Sequence, residues 1–306
     1  MQTKLLIAVD GSIHARNGLL YAAGLHARGA DILFGLIHVQ SIVSQYFLEE
    51  TEGDPKINEA LQRAVGQNRL QSIDILQKSR QLLLSRGIPE SSIEIISKIR
   101  MLGVTKDIIE YAHEHLYDAI VAGRRGLSRM QKIFMGSISA KLAQHSAGVP
   151  VWIVDGEIEP GKFLVAVDVA GPWHRLLDHL RSASGIDKIR LTFYYVRRSH
   201  SLEAMELPAL NEINARIAEK EQSMIDRFWE EACRVLKGAG LTEGRFQMLS
   251  PVQTGNVGKM ILNEIDSGLY DTLVIGRRGS HKSFFSGGVS RYVIERLTDH
   301  AIWISE

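Results

Sequence analysis

Ala119-Ile-Val-Ala-Gly123-Arg124-Arg125-Gly126, nine further residues and then Gly136-Ser137-Ile138-Ser139 is the stretch on which the reading of this chain turns. An apolar run, a loop bracketed by glycines and a helix-like run with Ile138, Leu142 and Ala143 follow one another. Strand, glycine loop, helix is how a backbone cradles phosphate. Glycines let the main chain approach an anion and adopt positive φ, and the N–H groups of a helix start, here Gly136 to Ser139, supply donors and a positive dipole end. Charge is concentrated in the same window. Between Asp118 and Asp155 there is no carboxylate, while Arg124, Arg125, Arg129, Lys132 and Lys141 make it +5 in a chain of formal net charge +1.

On the N-terminal side, Lys4 to Val9 is an apolar run ending in Asp10-Gly11-Ser12, the pattern of a buried parallel strand entering a turn. A helix is expected from His14 to about Arg28, a second strand over Asp31 to Val39, and a polar surface excursion over 41–56. A long helix then fills roughly Ile57 to Arg86, stopped by Gly87 and Pro89. Ser92 to Ser97 reads as a third strand, and Val104, Ile108, Ile109, Ala112 and Leu116 recur on one helix face. Asp118 to Ala122 and Val149 to Val154 complete five strands alternating with helices, which is the pattern of a parallel α/β sheet with right-handed crossovers.

The pattern then starts again. Phe163 to Asp168 repeats Leu5 to Asp10, Lys188 to Val196 repeats the second strand, and a long helix spans about Asn211 to Gly238, with Ile213, Ile217, Met224, Phe228, Ala232 and Val235 on its apolar side. Arg245 to Leu249 repeats the third strand, Val257, Ile261, Ile265 and Leu269 the next helix, and Asp271 to Ile275 leads into Gly276-Arg277-Arg278-Gly279. Ala301-Ile-Trp303-Ile-Ser305 answers Pro150-Val-Trp152-Ile-Val154. The offset stays nearly constant between Asp10/Asp168, Gly123/Gly276 and Trp152/Trp303, so the chain is an internal duplication of two domains, 1–156 and 157–306, joined by the polar turn Asp155 to Gly161.

Composition agrees with two ordinary globular domains of about 150 residues each. The near-neutral charge argues against a general nucleic-acid or membrane-surface binder, and Met1 to Asp10 is neither a leader nor a membrane span, so a cytoplasmic location is expected. Cys233 allows no intrachain disulfide and reads as a buried, inert thiol in a helix. Two decoys fail. Gly156-x4-Gly161-Lys162 has Phe163 where a P-loop needs Ser or Thr, and a strand where it needs a helix. His113 and His115 stand two apart in a predicted helix and point away from each other, which argues against a metal pair. No catalytic triad and no base placed to activate water is recognisable.

With the first-strand Val9-Asp10-Gly11-Ser12, the His38-Val39 ending the second strand, and the Gly-x2-Gly-x9-Gly-Ser loop, the chain resembles the universal stress protein family in its tandem form, over nearly every residue. The resemblance implies two Rossmann-like (HUP-type) domains, each a five-stranded parallel sheet of order 3-2-1-4-5 flanked by helices. It also implies that the two fifth strands meet antiparallel, making an intramolecular pseudo-dimer sealed by Trp152 and Trp303; a further homodimer and an unidentified protein partner are left open. In the nucleotide-binding branch it implies ATP with Mg at the carboxyl ends of strands one and four. Adenine and ribose would then meet Ala8, Val9, Asp10 and Val39, and the phosphates Gly123, Arg124, Gly126, Gly136, Ser137, Ile138 and Ser139. Asp10 would receive ribose hydroxyls or help hold a hydrated magnesium ion, although capping the following helix is its plainer role.

The second copy departs from that pattern. Its loop leaves seven residues between Gly279 and Gly287 instead of nine, and Gly288 replaces the hydroxyl of Ser137. The corresponding positions are Asp168, Gly276, Arg277, Gly279, Gly287, Gly288, Val289 and Ser290, where an anion site of altered form is expected. The expectation is therefore an ATP-binding, nucleotide-responsive stress protein whose first domain is the sensor. Its alternatives are an adaptor with degenerate loops and a slow ATPase.

Overall fold

The computed structural model of the chain describes residues 2–41, 55–125, 136–146, 148–183, 185, 188–198, 208–276 and 288–305. The first half runs β1 (Thr3–Ala8), α1 (Ile13–Ala27), β2 (Ile32–Gln40), α2 (Pro55–Ser85), β3 (Ile93–Ile99), α3 (Val104–Glu114), β4 (Ala119–Gly123), α4 (Ser137–His145) and β5 (Val151–Val154). The second runs β6 (Lys162–Ala166), α5 (Trp173–Ser182), β7 (Arg190–Tyr194), α6 (Pro208–Gly238), β8 (Phe246–Leu249), α7 (Val257–Ile265), β9 (Thr272–Gly276), α8 (Gly288–Arg296) and β10 (Ala301–Ser305). All ten strands form one sheet of order β3-β2-β1-β4-β5-β10-β9-β6-β7-β8, so each half has the order 3-2-1-4-5. Pairing is parallel within each half and antiparallel where β5 meets β10. Of the excursion expected over 41–56, residues 42–54 lie outside the described residues and 55–56 already belong to α2.

Continuous apolar runs make the inner strands such as β1, β4, β5 and β10, because both faces of the sheet are covered there, whereas the edge strand β3 is largely exposed. One face carries α1, α2, α5 and α6 through residues such as Leu19, Leu76, Leu177 and Phe228. The other carries α3, α4, α7 and α8 through Ile108, Leu142, Ile261 and Val293. Helix starts are set locally. Ser12 caps α1 by accepting the Ala15 N–H at 3.1 Å, and Asn256 caps α7 by accepting that of Lys259 at 3.0 Å. The helical periodicity overran at two ends. Leu116 follows α3 at φ 53° and is exposed, and Leu269 follows α7 and is exposed too. Ile213 and Ile217, expected on the apolar side of α6, are also exposed. Cys233 is half-buried rather than buried, and burial raises its thiol pKa.

The seam between the halves is buried and continuous with the core on either face of the sheet. Trp152 and Trp303 face each other in the β5–β10 register, their rings stacked at 3.8 Å with an interplanar angle of 1°. Across the seam the Tyr21 hydroxyl lies 2.9 Å from that of Thr272, and the Trp152 indole N–H donates to His179 Nε2 at 3.1 Å. His179 is thereby a neutral acceptor, and burial alone lowers its pKa to about 4. A free histidine titrates near 6.5, so the unfolded chain takes the proton first as pH falls. Stability from this group is complete above that value and declines by about 3 kcal/mol between pH 6.5 and 4, below which the contribution is flat. Urea unfolding at pH 7 and pH 4.5 checks this: His179→Gln, which keeps an acceptor for Trp152, should remove that part of the acid sensitivity.

Candidate functional site

The carboxyl ends of β1 and β4, and of β6 and β9, are the points where strand order reverses, and open α/β sheets take ligands there. In the first half, Ala8, Val39 and Ile138 are each part-buried against the core on the sheet face that carries α3 and α4. Val9 does not join them: it is buried on the opposite face. The Asp10 carboxylate turns back to accept the Ser12 N–H at 2.9 Å, and the cap of α1 is Ser12, not Asp10. His38 spans Nδ1 to the buried Ser72 hydroxyl at 3.2 Å, which continues to Ser97 at 2.7 Å, and its pKa is lowered by burial against an opposing influence from Asp10.

The described ends of the glycine loop, residues 123–125 and 136–139, are engaged differently from their sequence reading. A Cβ on Gly123 would stand 2.3 Å from the backbone carbon and oxygen of His14, so this glycine is required by the close approach of α1 to β4. Ser139 is buried and donates its hydroxyl to the Gly123 carbonyl at 2.6 Å. Gly136 donates its N–H to the Arg124 carbonyl at 2.8 Å, closing the base of the loop. Ser137 is exposed at the start of α4, which no side chain caps. Gly126 lies outside the described residues, as do Arg277, Gly279 and Gly287.

Arg124 corrects the expectation that it offers its charge to phosphate. Its side chain is fully buried in the seam, where the guanidinium donates to the carbonyls of Leu297, Ile294 (3.3 Å) and Glu295 (3.1 Å) at the carboxyl end of α8. Nε lies 3.5 Å from the buried Asp155 carboxylate, which Arg125 also approaches at 3.9 Å. Burial, the larger influence, lowers the Arg124 pKa while Asp155 pushes it up. Two of the five cations in the basic window are thus answered by Asp155. The charge run in the sequence carried no sign of the carbonyls at the end of α8 that Arg124 serves from across the chain.

The second half gathers its residues into a cavity of about 210 Å³. Ala166, Val167, Asp168, Val196, Gly276, Val289 and Ser290 all line it, the counterparts of Ala8, Val9, Asp10, Val39, Gly123, Ile138 and Ser139. Gly288 stands exposed at the start of α8. Unlike Gly123, Gly276 has nothing among the described residues within 4 Å of a Cβ position, and it lines the hollow. Asp168 makes the same turn as Asp10, accepting the Ala170 N–H at 3.2 Å. Tyr194, Tyr195 and Arg198 line the cavity and were not singled out from the sequence, although the duplication places Tyr194 and Tyr195 opposite Ile37 and His38. Tyr195 donates to Glu221 at 2.7 Å, and burial followed by that carboxylate raises its pKa, which keeps it protonated. In the first half, a hollow of about 500 Å³ opens on the other face, between α1 and α2 beside Val9, Asp10 and Arg16.

Among the described residues no three His, Cys, Asp or Glu side chains assemble into a metal site, and no helix is long and apolar enough to cross a membrane. His115 stacks on Tyr111 at 3.9 Å while His113 lies against Gly148, so the two histidines diverge as their spacing requires. The model of the universal stress protein family matches residues 1–155. The chain belongs to the universal stress protein family. A universal stress protein of Thermus aquaticus is 30% identical over 151 residues, which cover 96% of that protein and 49% of this chain. The fold of the whole tandem recurs in a universal stress protein of Archaeoglobus fulgidus, with 18% identity, a TM-score of 0.61 and coverage of 98% of this chain and 97% of that one. A functionally unknown protein of Pseudomonas aeruginosa has the same fold at 16% identity and a TM-score of 0.54, covering 98% and 91%.

Proposed function

We propose that this universal stress protein binds an adenine nucleotide, ATP with magnesium, at the carboxyl ends of its strands, and that the second-half cavity is the principal site. The observation that carries the reading is the convergence on that cavity of seven residues at the positions where the family resemblance places ligand contacts. The donor set suits the ligand. Tyr194 and Trp173 offer aromatic surface to a base, Asp168 a carboxylate to ribose hydroxyls, and Ser290 with the start of α8 donors to phosphate. Magnesium keeps most of its waters and would ride on the phosphates beside Asp168. For the first half, the engagement of Gly123, Arg124 and Ser139 in packing favours the second reading, a loop that serves the seam and a protein partner rather than a nucleotide.

Calorimetric titration with Mg-ATP, after co-purified nucleotide has been stripped, tests this. One site per chain is expected, weakened about tenfold or more by Gly276→Val, whose side chain enters the open mouth, and unchanged by Ser137→Ala. Loss of the site in Ser137→Ala but not in Gly276→Val would move it to the first loop. Absence of binding in the stripped wild-type chain would sink the nucleotide reading and leave the adaptor.

A further inference from the structure

The opposite end of the sheet carries a feature that nucleotide binding does not use. Lys162 opens β6, Arg190 opens β7 and Arg245 immediately precedes β8. From the first half, Arg28 at the end of α1 reaches across the seam, its guanidinium 3.2 to 3.5 Å from the position a Cβ on Gly161 would take. With Lys188 these line two adjoining hollows of about 360 and 210 Å³, which share Lys162, Arg190 and Arg245. The carboxylates in the linings are Glu159 and Asp271, two against five cations. Asp271 is turned inward, accepting the Lys162 N–H at 2.6 Å and the Thr272 hydroxyl at 2.7 Å.

The fold holds these charges together. Gly185, at φ 76°, packs so closely on the first half that a Cβ there would stand 2.8 Å from Ala30, so the turn bearing Arg28 and the loop leading to Lys188 and Arg190 meet backbone to backbone. Side chains alone would swing apart to relieve like-charge repulsion, but their attachment points are fixed by strand starts and by this contact. A concave surface lined mainly by one sign focuses its field and concentrates counter-ions of the other sign. Guanidinium groups at several points of the rim match phosphate oxygens in pairs.

We infer that these joined hollows are a second anion site, which takes a short polyphosphate chain, inorganic or carried on a nucleotide. A single phosphate would reach only part of the rim, whereas linked phosphates run from Arg28 through Lys162 to Arg190 and Arg245. A single-stranded nucleic acid would need a row of stacking aromatics, and the lining offers two, Tyr270, whose hydroxyl is bonded to Glu264 at 3.2 Å, and Phe246, which is buried against Trp229.

Titration of the full chain with inorganic tripolyphosphate, at low and at physiological salt, is the test. One site per chain is expected. Arg190→Gln and Lys162→Gln, both at exposed positions and expected to leave the melting temperature unchanged, should each weaken it about tenfold. Gly276→Val should not. In the Gly276→Val chain, competition by ATP identifies the nucleotide as a source of the phosphates, and failure of ATP to compete identifies the inorganic chain; both outcomes uphold the site. It is overturned by unchanged affinity in both charge variants, by no binding at low salt, or by an oligonucleotide that displaces tripolyphosphate and binds more tightly.

Discussion

Arg124→Met is expected to destabilise the chain by about 3–5 kcal/mol, although the substituted residue lies in a glycine loop that would ordinarily tolerate change. The methionine fills much of the same volume but donates nothing. It leaves the carbonyls of Ile294, Glu295 and Leu297 without their guanidinium, and Asp155 with Arg125 and the Asp299 N–H, at 3.4 Å, in a buried seam. Each such orphan costs on the order of 1–3 kcal/mol, and a buried carboxylate losing its nearest cation costs more. Arg124→Lys should recover less than half of the loss, because one ammonium cannot serve several carbonyls at the end of a helix as a planar fork does. Denaturant unfolding measures both. A loss below about 1 kcal/mol for Arg124→Met would mean that water replaces the guanidinium and that the seam is not dry.

Trp303→Ala should be of similar size, about 3–5 kcal/mol, lowering the melting temperature by roughly 6–15 °C. Trp303 is fully buried, stacks on Trp152, and receives the edge of Phe163 with ring centroids 4.9 Å apart. Removing it opens a cavity that neighbouring strands cannot close, since β9 and β5 hold β10 on both sides. Trp152→Ala alone should cost comparably and also strand the His179 acceptor. The double variant should fall short of the sum of the two by about 0.5–1.5 kcal/mol, the part that belongs to the stacked pair itself. Additive losses would show that the stacking geometry contributes nothing beyond burial.

The fold was legible because its signals are local and repeated. Runs such as Leu5 to Ala8 and Ala119 to Ala122 are apolar on both faces, and each recurs in the second half at nearly the same offset. Helix ends were less so. Leu116 and Leu269 continue the apolar period after the helix has stopped, since periodicity records side-chain chemistry and not the backbone turn that ends the element. Within the candidate site, the sequence located the strand ends at which strand order reverses but not which groups are spent on packing. Gly123 and Gly276 look alike in sequence, yet one is pressed against α1 and the other faces a hollow. Arg124 shows why: its partners lie some 170 residues further along the chain, a distance at which no local pattern speaks.

The antiparallel union of β5 and β10 has a consequence for how the two halves diverge. In a dimer of identical chains, a substitution at such an edge meets its own copy, so every change is made twice and must be compatible with itself. Covalent linkage removes that condition and fixes the local concentration of each half for the other, so the pairing does not weaken on dilution and cannot exchange with other copies. Each half is then free to change alone. Tyr194 and Tyr195 opposite Ile37 and His38, and a loop two residues shorter, are differences that a symmetric pair could not hold on one side only.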